Sequence, residues 1–176
     1  MNGARAAFLM LALAACGGGG SAPPASAPVD LAQIYSRDAA TGDVTLVLVA
    51  GFDPVNHRWN FSGLHAGRPG GITVPVGARI EIRFENGDPT QPHSLAIVDR
   101  VDKAPATFTD VVPAFDGAAT AEPNLVGTAP GGTETITFVA GRPGRFSIVC
   151  MIAGHALQGM AVPFDVVESG PYGVSR

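Results

Sequence analysis

Residues 150–160 read Cys-Met-Ile-Ala-Gly-His-Ala-Leu-Gln-Gly-Met. It places a thiol, an imidazole and a thioether at the spacing Cys-x4-His-x4-Met. The segments before and after it, 145–149 and 162–167, are predicted strands, so the three side chains lie on a loop between strands. Gly154 and Gly159 permit tight reversals, which allow such a loop to bring three side chains to one point.

A fourth donor has to come from elsewhere in the chain. His93 is the candidate, because it begins a predicted strand directly after the turn region 86–92. Two imidazoles, one thiolate and a weak thioether are the donor set of a copper electron-transfer site. Zinc is the competitor, but structural zinc sites prefer two or more cysteines or a Cys/His set without methionine. Mg, Ca and Mn are disfavoured because a thioether is a poor ligand for hard ions.

Taken singly, each of these residues has an ordinary explanation. A buried cysteine is usually a small hydrophobe, a loop methionine is usually core filler, and a histidine is more often a satisfied polar residue than a ligand. Their conjunction at this spacing, with Cys150 unpaired in a chain that carries an export signal, favours a metal site. An unpaired thiol in an oxidising compartment is a liability unless something holds it.

The rest of the body reads as short strands. The apolar run VTLVLVA (44–50) predicts a strand with both faces largely covered, and residues 79–85 alternate with Ile80, Ile82 and Phe84 facing inward. Short strands punctuated by turns predict a sandwich or a barrel. The Pro/Ala-rich segment 100–130 is predicted to be an excursion between strands, with room for a helical turn. Further strands are predicted over 71–77, 94–98, 133–139, 145–149 and 162–167.

Composition limits the possible classes of protein. A chain of 176 residues with 46% hydrophobic and 15% charged side chains is too apolar for a disordered tail, and it is too short for more than one ordinary domain with appendages. Eleven Lys and Arg against 15 Asp and Glu argue against a nucleic-acid binder, which needs clustered cations. Only two cysteines occur, so a disulfide scaffold is excluded.

The N-terminus predicts export. Arg5 precedes an apolar run, 6–15, that is shorter than the roughly 20 residues of a membrane-spanning helix, so residues 1–15 are read as a signal peptide. The tetrad Leu-Ala-Ala-Cys, 13–16, resembles the lipobox of bacterial lipoproteins, which implies that Cys16 is lipidated. The alternative is a plain signal peptide with an incidental cysteine. Residues 16–42 are then the lipidated Cys and a flexible linker, 43–168 the domain and 169–176 a C-terminal tail.

With these motifs in view, the chain resembles the cupredoxins, and within them it is most similar to sulfocyanin and rusticyanin. The resemblance spans 45–167. It implies an all-β, Greek-key β-sandwich that carries electrons and is not an enzyme, with one type 1 copper centre bound by His93, Cys150, His155 and Met160. The motifs that carry it are Cys-x-Ile-x-Gly-His-Ala and Gly-Met in the loop, Pro92-His93-Ser94-Leu95, Phe61-x-Gly63, and Ile72-Thr73-Val74-Pro75 followed by Gly77.

The resemblance also suggests finer roles. Ser94 follows the first histidine, and a hydroxyl bonded near the thiolate would favour Cu(I); an ordinary strand-start hydroxyl is the alternative. Electrons are expected to leave through His155, with Ala156, Leu157 and Ala161 as a small apolar docking patch. Ala161 replaces the aromatic residue often found in sulfocyanins.

Two further histidines are singled out. His57 and His65 lie in a segment that can approach the site, although surface histidines are commonplace.

The leading hypothesis is an electron shuttle that is lipid-anchored to a bacterial membrane and extracytoplasmic, in the periplasm or at the cell surface. Gly17, rather than an aspartate, follows the predicted lipidated cysteine. By resemblance to the sorting rule of some Gram-negative bacteria, this weakly favours the outer membrane. Its expected partners are redox proteins, such as a cytochrome or a terminal oxidase, and the chain is expected to be a monomer without nucleic-acid partners. A copper chaperone or store is the alternative, although only four Met occur, two of them in the signal peptide. A catalytic cupredoxin would need more histidines and a longer chain.

Overall fold

The computed structural model describes residues 30–53 and 57–175. The predicted signal peptide, Cys16 and the linker up to residue 29 lie outside the described residues. The described residues form one helical turn and short strands connected by turns and irregular segments. These elements are α1 (Leu31–Ile34), β1 (Tyr35–Arg37), β2 (Val44–Ala50), β3 (Gly71–Pro75), β4 (Arg79–Asn86), β5 (Ala96–Asp99), β6 (Thr133–Val139), β7 (Gly144–Val149), β8 (Ala161–Val167) and β9 (Gly173–Ser175).

The strands form two sheets, which confirms the all-β prediction. The first sheet has the order β1-β2-β4-β6 and the second the order β5-β7-β8-β3-β9. Both sheets are mixed, because β2 runs parallel to β4 and β3 runs parallel to β8, whereas the other pairings are antiparallel. The core lies between the inward faces of the two sheets.

The burial of side chains in β4 agrees with the prediction from the sequence, whereas the burial in β2 does not. Ile80, Ile82 and Phe84 are at most 1% exposed, as the alternation predicts. In β2 the expectation of two covered faces is wrong, since only alternate residues are fully buried and Val47 is 38% exposed. The reason is that a sheet of this sandwich has one face on the core and one toward solvent.

The segment 100–130 is an excursion, as predicted, and contains neither helix nor strand. It runs along β5, the edge strand of the second sheet. The amide of Ile97 donates to the carbonyl of Ala118, and the amide of Ala114 donates to the carbonyl of Ile97. Phe115 anchors the segment by stacking on Phe138, with ring centroids 5.5 Å apart. The excursion therefore covers a strand edge that would otherwise be open to pairing.

Three elements lie outside the range 43–168 in which strands were expected. α1 and β1 precede that range, and β1 pairs antiparallel with β2. β9 follows it and pairs antiparallel with β3. These elements are too short for periodicity to reveal them, since they have three or four residues each. Within the described residues, no helix has the length and apolar character needed to cross a membrane.

Candidate metal centre

Four side chains predicted as metal ligands meet at one end of the sandwich. His93, Cys150 and His155 offer donor atoms that all lie within 4.8 Å of one another. Cys150 Sγ is 3.3 Å from His155 Nδ1 and 3.9 Å from His93 Nδ1. Met160 Sδ is 3.1 Å from His93 Nδ1. All four residues are at most 4% exposed.

The loop 150–160 places three of these donors. Cys150 follows the last residue of β7 and Met160 precedes the first residue of β8, so the antiparallel pairing of Val149 with Ala161 brings the two sulfur-bearing residues together. The Cys150 amide donates to the Met160 carbonyl across the base of the loop. Inside the loop, the amide of Met160 donates to the carbonyl of His155. The loop is therefore held by its own backbone.

His93 is fixed by pairing with a different segment. Its amide donates to the carbonyl of Thr128 over 3.1 Å, and the Thr128 amide donates back to the carbonyl of His93 over 2.7 Å. Gly127 makes this approach possible. A Cβ atom at this position, where φ is +63°, would lie 2.8 Å from the His93 carbonyl oxygen. The irregular segment before β6 thus holds the first imidazole in place.

The sulfur of Cys150 receives hydrogen bonds from Ser94. The Ser94 amide donates to Sγ over 3.3 Å, and the Ser94 hydroxyl lies 3.6 Å from the same atom. The hydroxyl oxygen also accepts a hydrogen bond from the Met151 amide over 2.9 Å. Burial raises the pKa of the Cys150 thiol, and the hydrogen bonds from Ser94 act in the opposite direction. Ser94 therefore connects β5 to the loop and contacts the sulfur directly.

Both imidazoles are neutral at neutral pH. Burial, followed by the repulsion that a protonated His93 would exert, lowers the pKa of His155 to about 4. Burial also lowers the pKa of His93, although the neighbouring Asp88 opposes that shift. Neutral imidazoles can direct a lone pair at a metal, whereas protonated ones cannot.

The donor set suits a single soft or borderline metal ion. Nitrogen and thiolate ligands lie about 2.0–2.3 Å from a first-row metal, and donor separations of 3.1–3.9 Å are compatible with one ion between them. Two imidazoles, a thiol and a thioether are donors that copper accepts and hard ions do not. The residues present therefore fit copper.

Sequence reasoning missed three residues around this cluster. Trp59 packs on His155, with ring centroids 4.4 Å apart, and lies edge-on to His93 at 6.1 Å. Asp88 Oδ2 lies 3.4 Å from both His93 Nε2 and Arg58 Nε. For Asp88 the sequence does carry a weak signal, since it lies five residues before His93, in the turn that leads to this predicted ligand. For Trp59 and Arg58 no spacing pattern exists, because they come from the loop between β2 and β3.

His57 and His65 lie close to each other, with ring centroids 4.0 Å apart. A Cβ atom on Gly159 would lie 3.7 Å from Nε2 of His57, so the pair borders the loop 150–160. Neither histidine is among the residues whose donor atoms form the cluster. Their ring planes are inclined by 43°.

The expected docking patch needs correction. Ala156 and Ala161 are only 3% and 8% exposed, and Ala161 is the first residue of β8. Leu157 is 59% exposed and is the remaining member of the patch. His155 itself is 4% exposed, so the imidazole is not open to solvent.

Comparison with known families gives one match. The family model described as the sulfocyanin (SoxE) domain matches residues 32–175. A comparison with curated proteins found no match.

Several solved structures are similar to this chain. Auracyanin from Roseiflexus castenholzii is 26% identical, and the match covers 74% of this chain and 99% of that chain at a TM-score of 0.49. Auracyanin A from Chloroflexus aurantiacus is 24% identical, covering 72% and 100% at a TM-score of 0.45. Rusticyanin from Thiobacillus ferrooxidans is 22% identical, covering 77% and 88% at a TM-score of 0.45. Because these TM-scores lie below 0.5, the family assignment rests on the family model.

Proposed function

The chain belongs to the sulfocyanin family of blue copper proteins, which carry electrons and are not enzymes, and on this premise we propose that His93, Cys150, His155 and Met160 hold its one copper ion. The observation that carries the proposal is the meeting of these four side chains from two separate parts of the chain. Their donor atoms lie 3.1–3.9 Å from their neighbours in a site closed to solvent.

When bound, copper supplies a one-electron couple between Cu(I) and Cu(II). The protein's own contribution is to hold the donors in one arrangement. Backbone hydrogen bonds fix the loop 150–160, and Thr128 fixes His93. Such a preorganised site lowers the rearrangement that a change of metal charge would otherwise demand.

A partner surface for electron exchange is proposed around Leu157. Leu125 and Val126 are 73% and 62% exposed, and they precede Gly127, whose Cβ position would lie 3.0 Å from Ile152 Cδ1 in the loop 150–160. Three exposed apolar side chains therefore border the metal end of the sandwich. Transient redox encounters use small interfaces of this kind. The partners are redox proteins of a respiratory chain, such as a cytochrome or a terminal oxidase.

The tether is the second part of the proposal. Cys16 is lipidated after removal of residues 1–15, and the stretch GGGGSAPPASAP (17–28) spaces the copper domain from an extracytoplasmic membrane surface. Twelve residues of coil span roughly 20 Å, taking ~5–6 Å × √n. The body of the domain is proposed to be residues 43–168, and strands β1 and β9 of the flanking segments pair with its β2 and β3.

The two cysteines allow a test with matched variants. The full chain is produced in a bacterial host, solubilised in detergent and titrated with Cu(II). Wild type is expected to develop the intense visible absorption of thiolate-to-copper charge transfer and to fractionate with membranes. Cys150→Ser should abolish the colour but leave membrane association unchanged. Cys16→Ser should do the reverse.

The outcomes separate the two parts of the proposal. A colourless wild type that binds only Cu(I) would contradict the electron-carrier assignment of these ligands and would favour a copper chaperone. Membrane association that survives Cys16→Ser would contradict the lipid tether and leave the copper assignment standing.

A further inference from the structure

The carboxylate of Asp88 is completely buried beside the metal cluster. Its Oδ1 accepts hydrogen bonds from the amides of Thr90 and Gln91 over 2.8 and 3.1 Å, and from the Thr90 hydroxyl over 3.0 Å. This oxygen holds the turn that leads into His93. The other oxygen, Oδ2, takes no part in the turn.

Oδ2 of Asp88 faces two other groups. It lies 3.4 Å from Nε2 of His93 and 3.4 Å from Nε of Arg58. The opposite nitrogen of the same imidazole, Nδ1, faces the sulfur atoms of Cys150 and Met160. The carboxylate therefore places the His93 proton on Nε2 and the lone pair on Nδ1. Carboxylates that accept from a ligand histidine in this way fix its tautomer and raise its basicity.

Asp88 also brings a negative charge to the site. Its Oδ1 accepts three hydrogen bonds, and its Oδ2 faces the guanidinium of Arg58, so the surroundings of this carboxylate suit its charged form. A charge shielded from water acts strongly on its neighbours, and a negative charge favours the more positive oxidation state of a nearby metal.

Arg58 offsets part of that charge. Its guanidinium reaches Asp88 from the loop between β2 and β3, and its side chain is 32% exposed. It also donates to the Thr90 hydroxyl oxygen over 3.3 Å. Because Arg58 is partly solvated and Asp88 is not, solvent screens the positive member of the pair more than the negative one.

We propose that Asp88 is a positioning residue that sets the reduction potential of the centre. It holds His93 through Nε2 and places a negative charge beside it, which stabilises Cu(II), while Arg58 moderates the effect. This inference rests on the proposed function, because it requires His93 to be a copper ligand. Asp88 opposes Ser94, whose hydrogen bonding to the thiolate favours Cu(I).

Asp88→Asn separates this role from a structural one. An asparagine keeps Oδ1 as the acceptor for Thr90 and Gln91, so the turn retains its bonds. At the position of Oδ2 it has an amide NH2, which cannot accept from His93 and carries no charge. Arg58→Gln removes the opposing positive charge. Asp43→Asn is the control, because it removes a carboxylate just before β2. Asp43 is roughly 26 Å of extended strand away from Gly51, the glycine that contacts Asp88.

The experiment measures the reduction potential of each full-length variant by redox titration of the visible absorption. Asp88→Asn should remain blue and favour Cu(I) over Cu(II) at least tenfold more than wild type, a rise of about 59 mV for one electron. Arg58→Gln should shift the preference toward Cu(II) and so lower the reduction potential, and Asp43→Asn should leave the potential unchanged.

Several outcomes would overturn the inference. One is a blue Asp88→Asn protein whose preference for Cu(I) over Cu(II) stays within threefold of that of wild type. Another is a shift of the reduction potential in the same direction in the Asp88 and Arg58 variants, which would indicate that both substitutions only loosen the site. If Asp88→Asn does not fold, the inference is tested by Arg58→Gln alone. A reduction potential of Arg58→Gln that is equal to or higher than that of wild type would then refute it. A wild type that never turns blue overturns the proposed function and this inference with it.

Discussion

The indole of Trp59 packs on the imidazole of His155, with ring centroids 4.4 Å apart and ring planes inclined by 51°. Trp59 comes from the loop between β2 and β3, whereas His155 lies in the loop between β7 and β8. The contact therefore depends on the packing of two distant parts of the chain. It explains why a histidine carried on a connecting loop is only 4% exposed.

We expect Trp59→Ala to open the metal centre to solvent. Loss of an aromatic pair, worth about 0.5–1.5 kcal/mol beyond its buried area, should speed copper release to a chelator by about tenfold. The measurement is the decay of visible absorption in the presence of excess chelator. Phe52→Ala is the control, because Phe52 is an aromatic residue of the same loop that is 38% exposed. Equal release rates for the two variants would contradict the shielding role.

Ser94→Ala should have two separable effects. The amide of Met151 loses its acceptor, the Ser94 hydroxyl oxygen, and a buried unsatisfied amide costs about 1–3 kcal/mol of unfolding free energy. Loss of the hydroxyl beside Sγ should also lower the reduction potential, because a hydrogen bond to the thiolate favours Cu(I). Denaturant titration and redox titration measure the two effects.

Ser147→Ala is the matched control for this prediction. Ser147 is also buried, and its hydroxyl oxygen accepts from the Val101 amide over 3.1 Å. Its removal should destabilise the fold without moving the potential. A Ser94→Ala protein with the potential of wild type would show that Ser94 is an ordinary structural hydroxyl.

The sequence predicts which side chains come together at the candidate metal centre better than it predicts their surroundings. The Cys-x4-His-x4-Met spacing is local, and the strands on both sides constrain the loop, so the cluster could be inferred from residues 150–160 and one distant histidine. Trp59 could not, because its role arises from side-chain contacts across the fold, and Asp88 is marked only by its place in the turn before His93. Likewise the run 44–50 shows that a strand is apolar, but it does not show that the outer face of β2 meets solvent at Val47.

Asp38 should make part of the stability depend on pH. Its Oδ1 accepts from the amides of Thr41 and Ala40, both over 2.8 Å, and these hydrogen bonds lower the pKa of Asp38 in the folded state. The contribution is therefore present above the pKa of the unfolded chain and is lost as the pH falls through the folded pKa. Asp38→Ala should be less stable than wild type at neutral pH.

The difference between Asp38→Ala and wild type should shrink once the pH drops below the ordinary carboxyl pKa of about 3.9. Denaturation midpoints at neutral and acidic pH measure it. Asp38→Asn keeps an acceptor oxygen and does not titrate, so its stability relative to Asp38→Ala should not change between the two conditions. A wild-type advantage that persists unchanged in acid would refute the prediction.

Leu157→Asp should slow electron exchange without affecting the copper centre. Leu157 is 59% exposed on the loop that carries three of the proposed ligands. If two molecules meet through this surface, the variant places like charges opposite each other in the encounter complex. Self-exchange between oxidised and reduced protein should then slow by roughly tenfold or more at low salt and recover partly as salt screens the repulsion.

Val139→Asp is the control for the exchange experiment. Val139 is 54% exposed and pairs with Arg79, the first residue of β4, whereas the proposed copper ligand His93 follows the other end of that strand. The same charge is therefore added about 20 Å of strand away from the centre. Self-exchange can be followed by line broadening in NMR spectra of mixed oxidation states. If Leu157→Asp and Val139→Asp slow exchange equally, net charge is responsible, and the apolar surface at Leu157 is not the route by which electrons leave.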